Sequence, residues 1–210
     1  MRQTSYIVFQ DDFNGKGPLS NRYVIDDTFG TVAYQTDGYS AEGGALAILA
    51  DNAQGDLATI TTVTPEQFAL SKASELEVRF RLWSDDACRV RIGFWQDSSN
   101  WVALEASTEL AGGGYALVGK RATTFYYDYH KAKIDASWHR LTLRLLGAGL
   151  GAEAVLDDDE ASKLALPNGE IPTADQYGIF AHGETRGSSG VASGEQRGVL
   201  LNYWRVKQAR

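Results

Sequence analysis

Ser74-Glu75-Leu76-Glu77-Val78-Arg79-Phe80-Arg81-Leu82-Trp83 alternates polar and apolar side chains without a break. A period of two belongs to a strand with one buried face. Leu76, Val78, Phe80 and Leu82 are therefore placed inward, and Glu75, Glu77, Arg79 and Arg81 outward. The next stretch, Cys88-Arg89-Val90-Arg91-Ile92-Gly93-Phe94-Trp95, repeats the pattern, and Ser84-Asp85-Asp86 supplies turn residues between the two. The pair is predicted to form a β-hairpin. A third stretch, Trp138-His139-Arg140-Leu141-Thr142-Leu143-Arg144-Leu145, reads as a strand that buries Trp138, Leu141, Leu143 and Leu145 if a twist or bulge adjusts its phase. His139 is assigned its outward phase.

Working outward, further strands are expected at 45–49, 57–63, 101–105, 115–119, 124–129, 152–156, 177–182 and 199–206. Turn-rich pieces separate them, among them Asp97-Ser98-Ser99-Asn100 and the long stretch 183–198, a candidate contact loop. Many short strands at this spacing argue for a sandwich or barrel. Helical signal is confined to one turn over 65–70, with Thr64 as N-cap and Pro65 in the first helical position. No linker, repeat or composition shift divides the chain, so 1–210 is expected to form one all-β domain, a two-sheet antiparallel jelly-roll sandwich.

At 210 residues such a domain buries roughly 70% of its unfolded surface and needs no disulfide or metal to fold. The one cysteine, Cys88, lies on the inward phase of its strand and is expected to be a buried, inert thiol. A formal net charge of −7 argues against a nucleic-acid partner, which calls for clustered Lys and Arg. Arg79, Arg81, Arg89 and Arg91 read as solvated sheet faces. No run of 18 apolar residues predicts a membrane span. No apolar segment of signal length follows Arg2, which predicts synthesis in a cytoplasm without export by an N-terminal signal.

Three pieces carry a resemblance. The opening, Phe9-Gln10-Asp11-Asp12-Phe13-Asn14-Gly15-Lys16-Gly17-Pro18-Leu19-Ser20-Asn21-Arg22-Tyr23, is similar to a D-x-F start that ends in tryptophan, with Tyr23 in the tryptophan position. Trp138-His139-Arg140-Leu141-Thr142-Leu143 followed by Ala154-Val155-Leu156-Asp157-Asp158-Asp159-Glu160 resembles a W-H-x-L-x-L … A-x-L-D-G hairpin, with Asp158 where glycine is usual. Tyr177-Gly178-Ile179-Phe180-Ala181 and Leu201-Asn202-Tyr203-Trp204-Arg205-Val206 resemble the penultimate and last strands of the same domains. Together they resemble the concanavalin A-like lectin/glucanase superfamily, including laminin-G-like domains and the modules of phage tail and virion proteins. The resemblance implies that the first and last strands lie side by side.

Members that hydrolyse β-glucans use two carboxylates on one strand, in an E-x-D-x-x-E or E-x-D-x-E pattern, where alternation puts acid and nucleophile together. The nearest pattern is Glu75-Leu76-Glu77, but Arg79 and Arg81 share its face, and arginine neighbours keep a carboxylate ionised where a general acid needs its proton. Cross-strand ion pairs are the expected role of Glu75 and Glu77. Asp157-Asp158-Asp159-Glu160 lacks the spaced ligands of a calcium loop, although calcium is the one ion considered there. Otherwise no cofactor is expected. The three histidines, His130, His139 and His182, have no motif linking them to a serine or to Cys88, so no nucleophilic triad is predicted.

Aromatic residues supply the remaining signal. Thr124-Phe125-Tyr126-Tyr127-Asp128-Tyr129-His130 puts rings on both faces of one strand, so one face meets solvent or a partner. Trp95 and Trp101 flank the 97–100 turn. Trp95, Trp101, Tyr126, Tyr127, Tyr129 and His130 are the candidate binding residues, for a sugar, for another subunit, or for packing within a well-filled core. The function expected is a non-catalytic virion protein, at a phage tail or capsid surface, with a lectin-like module that binds a glycan or attaches to another virion subunit. A homo-oligomer is among the assemblies considered. The alternative is a glycoside hydrolase or lyase acting on polysaccharide through Glu75 or Glu77.

Overall fold

A computed structural model describes residues 5–13, 18–35, 44–62, 68–69, 72–84, 86–108, 110, 114–130, 134–147, 150–172, 176–186 and 195–209. Its strands, in chain order, are β1 (Ser5–Asp11), β2 (Tyr23–Asp26), β3 (Gly30–Gln35), β4 (Ala45–Ala50), β5 (Leu57–Thr62), β6 (Phe68–Ala69), β7 (Ser74–Leu82) and β8 (Cys88–Asp97). Then come β9 (Asn100–Ser107), β10 (Tyr115–Arg121), β11 (Thr124–His130), β12 (Trp138–Leu145), β13 (Ala152–Leu156), β14 (Leu164–Leu166), β15 (Gln176–Thr185) and β16 (Arg197–Ala209).

They form two antiparallel sheets, as the jelly-roll expectation requires. The first runs β14-β13-β12-β7-β16-β4-β3, with β1 also on β16. The second runs β11-β10-β9-β8-β15-β5-β2, with β6 also on β15. β16 is long enough to serve two neighbours along one edge, pairing β4 through Arg197–Leu201 and β1 through Trp204–Ala209. First and last strands are thus side by side, as the resemblance implies.

The inward phases interdigitate into one core. Leu76, Val78 and Phe80 of β7 and Leu141 and Leu143 of β12 meet Ile92 and Phe94 of β8, Leu117 of β10 and Ile179 of β15. Cys88 belongs to the inward row of β8 and is buried.

Four expectations are corrected. β7 and β8 are not a hairpin: β7 pairs with β12 and β16, β8 with β9 and β15, so the two consecutive strands belong to different sheets. Period-two patterning fixes which side chains face the core but not which strand is the neighbour. Arg79 and Arg81 therefore lie on one outer face of the sandwich and Arg89 and Arg91 on the other. The phase of β12 is unbroken: Trp138 is on the outer face, packed against the patch of Ala45, Ala47, Leu49 and Leu200 with Arg79 5.4 Å from its ring. His139 is accordingly inward, its ring 5.8 Å from Phe80. The helical turn expected over 65–70 falls mostly outside the described residues, and its Phe68–Ala69 is β6. β15 and β16 extend to Thr185 and from Arg197, so the two ends of the stretch read as a loop over 183–198 are strand, and 187–194 lies outside the described residues.

Candidate functional site

The outer face of the second sheet is built from three rows of side chains set by strand register. The first row crosses Tyr129, Ala116, Glu105, Arg91, His182 and Thr59. The second crosses Tyr127, Val118, Ala103, Gly93, Phe180 and Thr61. The third crosses Phe125, Lys120, Trp101 and Trp95. Large rings flank a floor of Ala103, Ala116 and Val118, all fully buried. Small side chains in the middle of the face let the rings at its sides lie over them.

The rings make one continuous band. Trp95 and Phe180 are 5.3 Å apart, Phe180 and Trp101 5.9 Å, Trp101 and Phe125 5.9 Å, Phe125 and Tyr127 6.2 Å, and Tyr127 and Tyr129 5.2 Å. These are favourable aromatic spacings. On the edge strand β11 the last three rings stack with interplanar angles of 15° and 9°. They remain partly open to solvent: Tyr127 is 38% and Tyr129 54% exposed.

A charged network crosses the first row. Arg91 Nε donates to Glu105 Oε2 at 2.6 Å while its guanidinium sits 4.7 Å from the Trp101 ring. Arg89 lies between Glu105 at 3.6 Å and Glu184 at 3.3 Å, and Arg186 reaches Glu184 at 2.6 Å. Arg89 and Arg91 are mostly covered, in contrast to the solvated face expected for them. His182 sits beside Arg91 as its cross-strand partner. Its Nε2 is buried without a hydrogen-bond partner. Burial, then the charges of Arg91 and Arg89, hold its pKa well below the ordinary value, so the imidazole is neutral. Burial and then the charge of Glu105 push the Tyr127 hydroxyl up.

Trp95, Trp101, Tyr127 and Tyr129 therefore come together on one face. Tyr126 and His130 do not: they pair with Gly119 and Tyr115 on the inner phase. Tyr126 packs on the main core and His130 stacks on Tyr115 at 4.8 Å. Phe180, Glu105, Arg91 and His182 complete the face and were missed as a group. The available signal was alternation: Trp101-x-Ala103-x-Glu105 and Phe180-x-His182-x-Glu184 are single-face readings. Their meeting depends on strand order, which alternation does not give.

Glu75 and Glu77 lie on the other outer face, away from the rings. Glu75 is held by Lys207 at 3.0 Å and Arg144 at 3.1 Å. Glu77 is held by Arg205 at 2.6 Å, Tyr203 at 2.8 Å and Arg140 at 3.3 Å. Burial would raise the Glu77 carboxyl, but the bonds from Arg205 and Tyr203 outweigh it and bring it to about 2. Such a group does not act as a general acid, so this pair is the ion-pair ladder the alternation suggested.

The acidic run also disperses. Asp157 reaches His139 Nδ1 at 2.7 Å, Asp158 reaches Arg140, Asp159 caps the turn through Ala161 N, and Glu160 reaches Arg144. Asp157 and Asp158 have φ of 53° and 60°, left-handed geometry that accounts for glycine being usual in the position of Asp158. No group of three metal-ligating side chains gathers among the described residues. Ser137 Oγ lies 3.4 Å from His139 Nε2, but it donates to Asp135 Oδ1, which itself is 3.1 Å from Nε2. The serine proton is thus engaged by a carboxylate rather than by the imidazole.

These features place the chain among proteins of known structure. It is similar to glycoside hydrolase family 16 proteins. A glycoside hydrolase family 16 endo-glucanase from Bacteroides ovatus, solved in complex with G4G3G-2F-DNP, superposes with a TM-score of 0.64 at 14% identity, covering 95% of this chain and 100% of that one. A glycosyl hydrolase family protein from Mycobacterium fortuitum gives 0.63 at 15% identity over 96% and 99%. Another structure, a GH16 of a Bacteroides ovatus mixed linkage glucan PUL in complex with the product G4G4G3G, gives 0.65 at 14% identity over 95% and 100%. At this identity the likeness establishes the fold, the concanavalin A-like jelly roll. No family model and no curated protein matches the sequence.

Proposed function

We propose that this protein recognises a polysaccharide, which lies along the ring band on the outer face of the second sheet. The observation that carries the reading is the continuous run Trp95–Phe180–Trp101–Phe125–Tyr127–Tyr129, open at its β11 end. Sugar rings present apolar C–H faces to aromatic rings, while Arg91 and His182 in the neighbouring row offer polar groups for hydroxyls. The likeness to glycosidase-fold structures supports a polysaccharide partner over a virion subunit, and so favours the polysaccharide-acting alternative of the sequence reading over its virion setting. Affinity electrophoresis in gels cast with β-glucans and other plant and algal polysaccharides tests it. Retardation of the intact chain by at least one of them is expected, and free migration in all of them rejects the reading.

A second reading, hydrolysis, draws on the same likeness. Its difficulty is local. The acids of this face among the described residues near its centre, Glu105 and Glu184, flank Arg89, which forms an ion pair with each, at 3.6 Å and 3.3 Å. The space between two carboxyl groups where a scissile bond would lie is occupied by a guanidinium, whereas a retaining pair stands about 5–5.5 Å apart across the sugar. Release of reducing sugar from mixed-linkage β-glucan, abolished in Glu105→Gln, would establish hydrolysis instead of recognition alone.

A further inference from the structure

Arg91 and His182 face each other across β8 and β15 in the polar row beside the ring band. Both have unused hydrogen-bonding capacity. His182 is 9% exposed and its Nε2 has no partner. Arg91 commits Nε to Glu105, and its two terminal nitrogens make no hydrogen bond to a described residue. The Trp101 ring, 4.7 Å away, fixes the plane of the guanidinium. A pre-oriented guanidinium edge matches planar carboxylate or sulfate oxygens better than it matches single hydroxyls. The network is also rich in cations: three guanidinium groups, Arg89, Arg91 and Arg186, are joined to two carboxylates, Glu105 and Glu184. This stands out in a chain of net charge −7. A neutral imidazole at His182 adds an N–H donor without adding charge.

We propose that the polysaccharide recognised on this face is acidic, with a uronate carboxylate or a sulfate ester seated against Arg91 and His182. The proposal rests on the polysaccharide reading above and goes further by assigning the chemical class of the ligand.

Titration calorimetry on the intact chain with three polymers tests it: polygalacturonate for carboxylate, a sulfated galactan for sulfate, and mixed-linkage β-glucan as the neutral comparison. At least about tenfold tighter binding of one acidic polymer than of the neutral one is expected. The carboxylate and sulfate arms show which anion supplies it. Arg91→Gln and His182→Gln are each expected to shrink the preference to roughly threefold or less. Circular dichroism melts of both variants confirm that they are folded, and the comparison on the unaltered chain stands without them. Neutral glucan bound as tightly as either acidic polymer overturns the acidic assignment while leaving the polysaccharide reading in place. No binding of any of the three overturns the acidic assignment as well, and the polysaccharide reading itself falls only if the chain also migrates freely through every gel of the electrophoresis panel.

Discussion

The hydroxyl of Tyr23 donates a 2.6 Å hydrogen bond to Asp11 Oδ2 and so ties the second sheet to the first at the start of the chain. The same hydroxyl accepts from Trp204 Nε1 at 3.1 Å, and Asp11 also takes the Phe13 N–H and Arg22. Phe13, Tyr23 and Trp204 pack as a triangle of rings with centroids 5.3–6.3 Å apart. The opening D-x-F stretch is thus a pin between the first and last strands, and the residue in the usual tryptophan position contributes a polar tip as well as a ring.

Removing that tip leaves two buried groups short of a partner. Tyr23→Phe keeps the ring packing but strips a donor from Asp11 and an acceptor from Trp204. The expected loss is about 1–3 kcal/mol, seen as a fall in thermal midpoint of roughly 2–4 °C per kcal/mol for a domain of this size. A melt unchanged from the parent chain would show that the pin carries no stability.

Gly93 makes a second, steric prediction. It lies between Ala103 and Phe180 in the middle row of the ring-bearing face. A Cβ there would come 2.1 Å from the Val102 carbonyl oxygen and 2.6 Å from Ala103 Cα, both backbone atoms that cannot swing aside. Gly93→Ala is expected to destabilise by about 1–3 kcal/mol through overpacking, measured by denaturant unfolding. Equal midpoints for parent and variant would mean that the β8–β9 pair has slack at this point.

How much of this was legible in the sequence differs by level. Leu76, Val78 and Phe80 were placed inward correctly because alternation reports the face of a strand directly. The same alternation put His139 inward, and only the assumption of a phase change at Trp138 hid it. Strand neighbours are not legible: Ser84-Asp85-Asp86 has the composition of a tight turn, yet β7 before it and β8 after it belong to different sheets. The side-by-side first and last strands came from resemblance, not from pattern. The ring band was half legible. Ring chemistry alone points to Trp95, Trp101, Tyr127 and Tyr129, but it points equally to Tyr126 and His130, and adjacent positions on a strand face opposite ways. Glu105, Phe180 and His182 lie on strands far apart in sequence, and only their register brings them into rows with Arg91 and Gly93.

The open end of the band gives a binding prediction that leaves the core untouched. Tyr127 and Tyr129 are stacked at 5.2 Å and partly exposed, whereas Trp101 is 3% exposed and supports its neighbours. Tyr127→Ala and Tyr129→Ala are each expected to weaken polysaccharide retention roughly tenfold, the scale of truncating an aromatic contact residue. Thermal midpoints should stay near the parent value. If both variants are retained like the parent chain on every ligand it binds, the β11 rings are not part of the binding face.

Glu77 sets a pH dependence on the opposite face. Its ordinary pKa of 4.5 falls to about 2 in the folded chain: burial raises it, and the bonds from Arg205 and Tyr203 lower it further than burial raises it. A carboxyl whose pKa is depressed by folding binds protons more readily in the unfolded chain. Its contribution is therefore fully present above pH 4.5 and is lost as pH falls from there towards about 2. Glu75 is shifted the same way: burial raises its pKa, but bonds from Lys207 and Arg144 lower it below the ordinary value, so the two acids lose their ion pairs over overlapping ranges. Denaturant unfolding followed from neutral pH into acid should show the parent chain losing stability through this window. Glu77→Gln should begin less stable at neutral pH, because Arg205 and Arg140 lose a charged partner. Its stability should also decline less steeply between pH 4.5 and about 2, because the titrating group is gone. Parallel pH profiles for the two proteins would show that the Glu77 ion pairs do not govern acid stability.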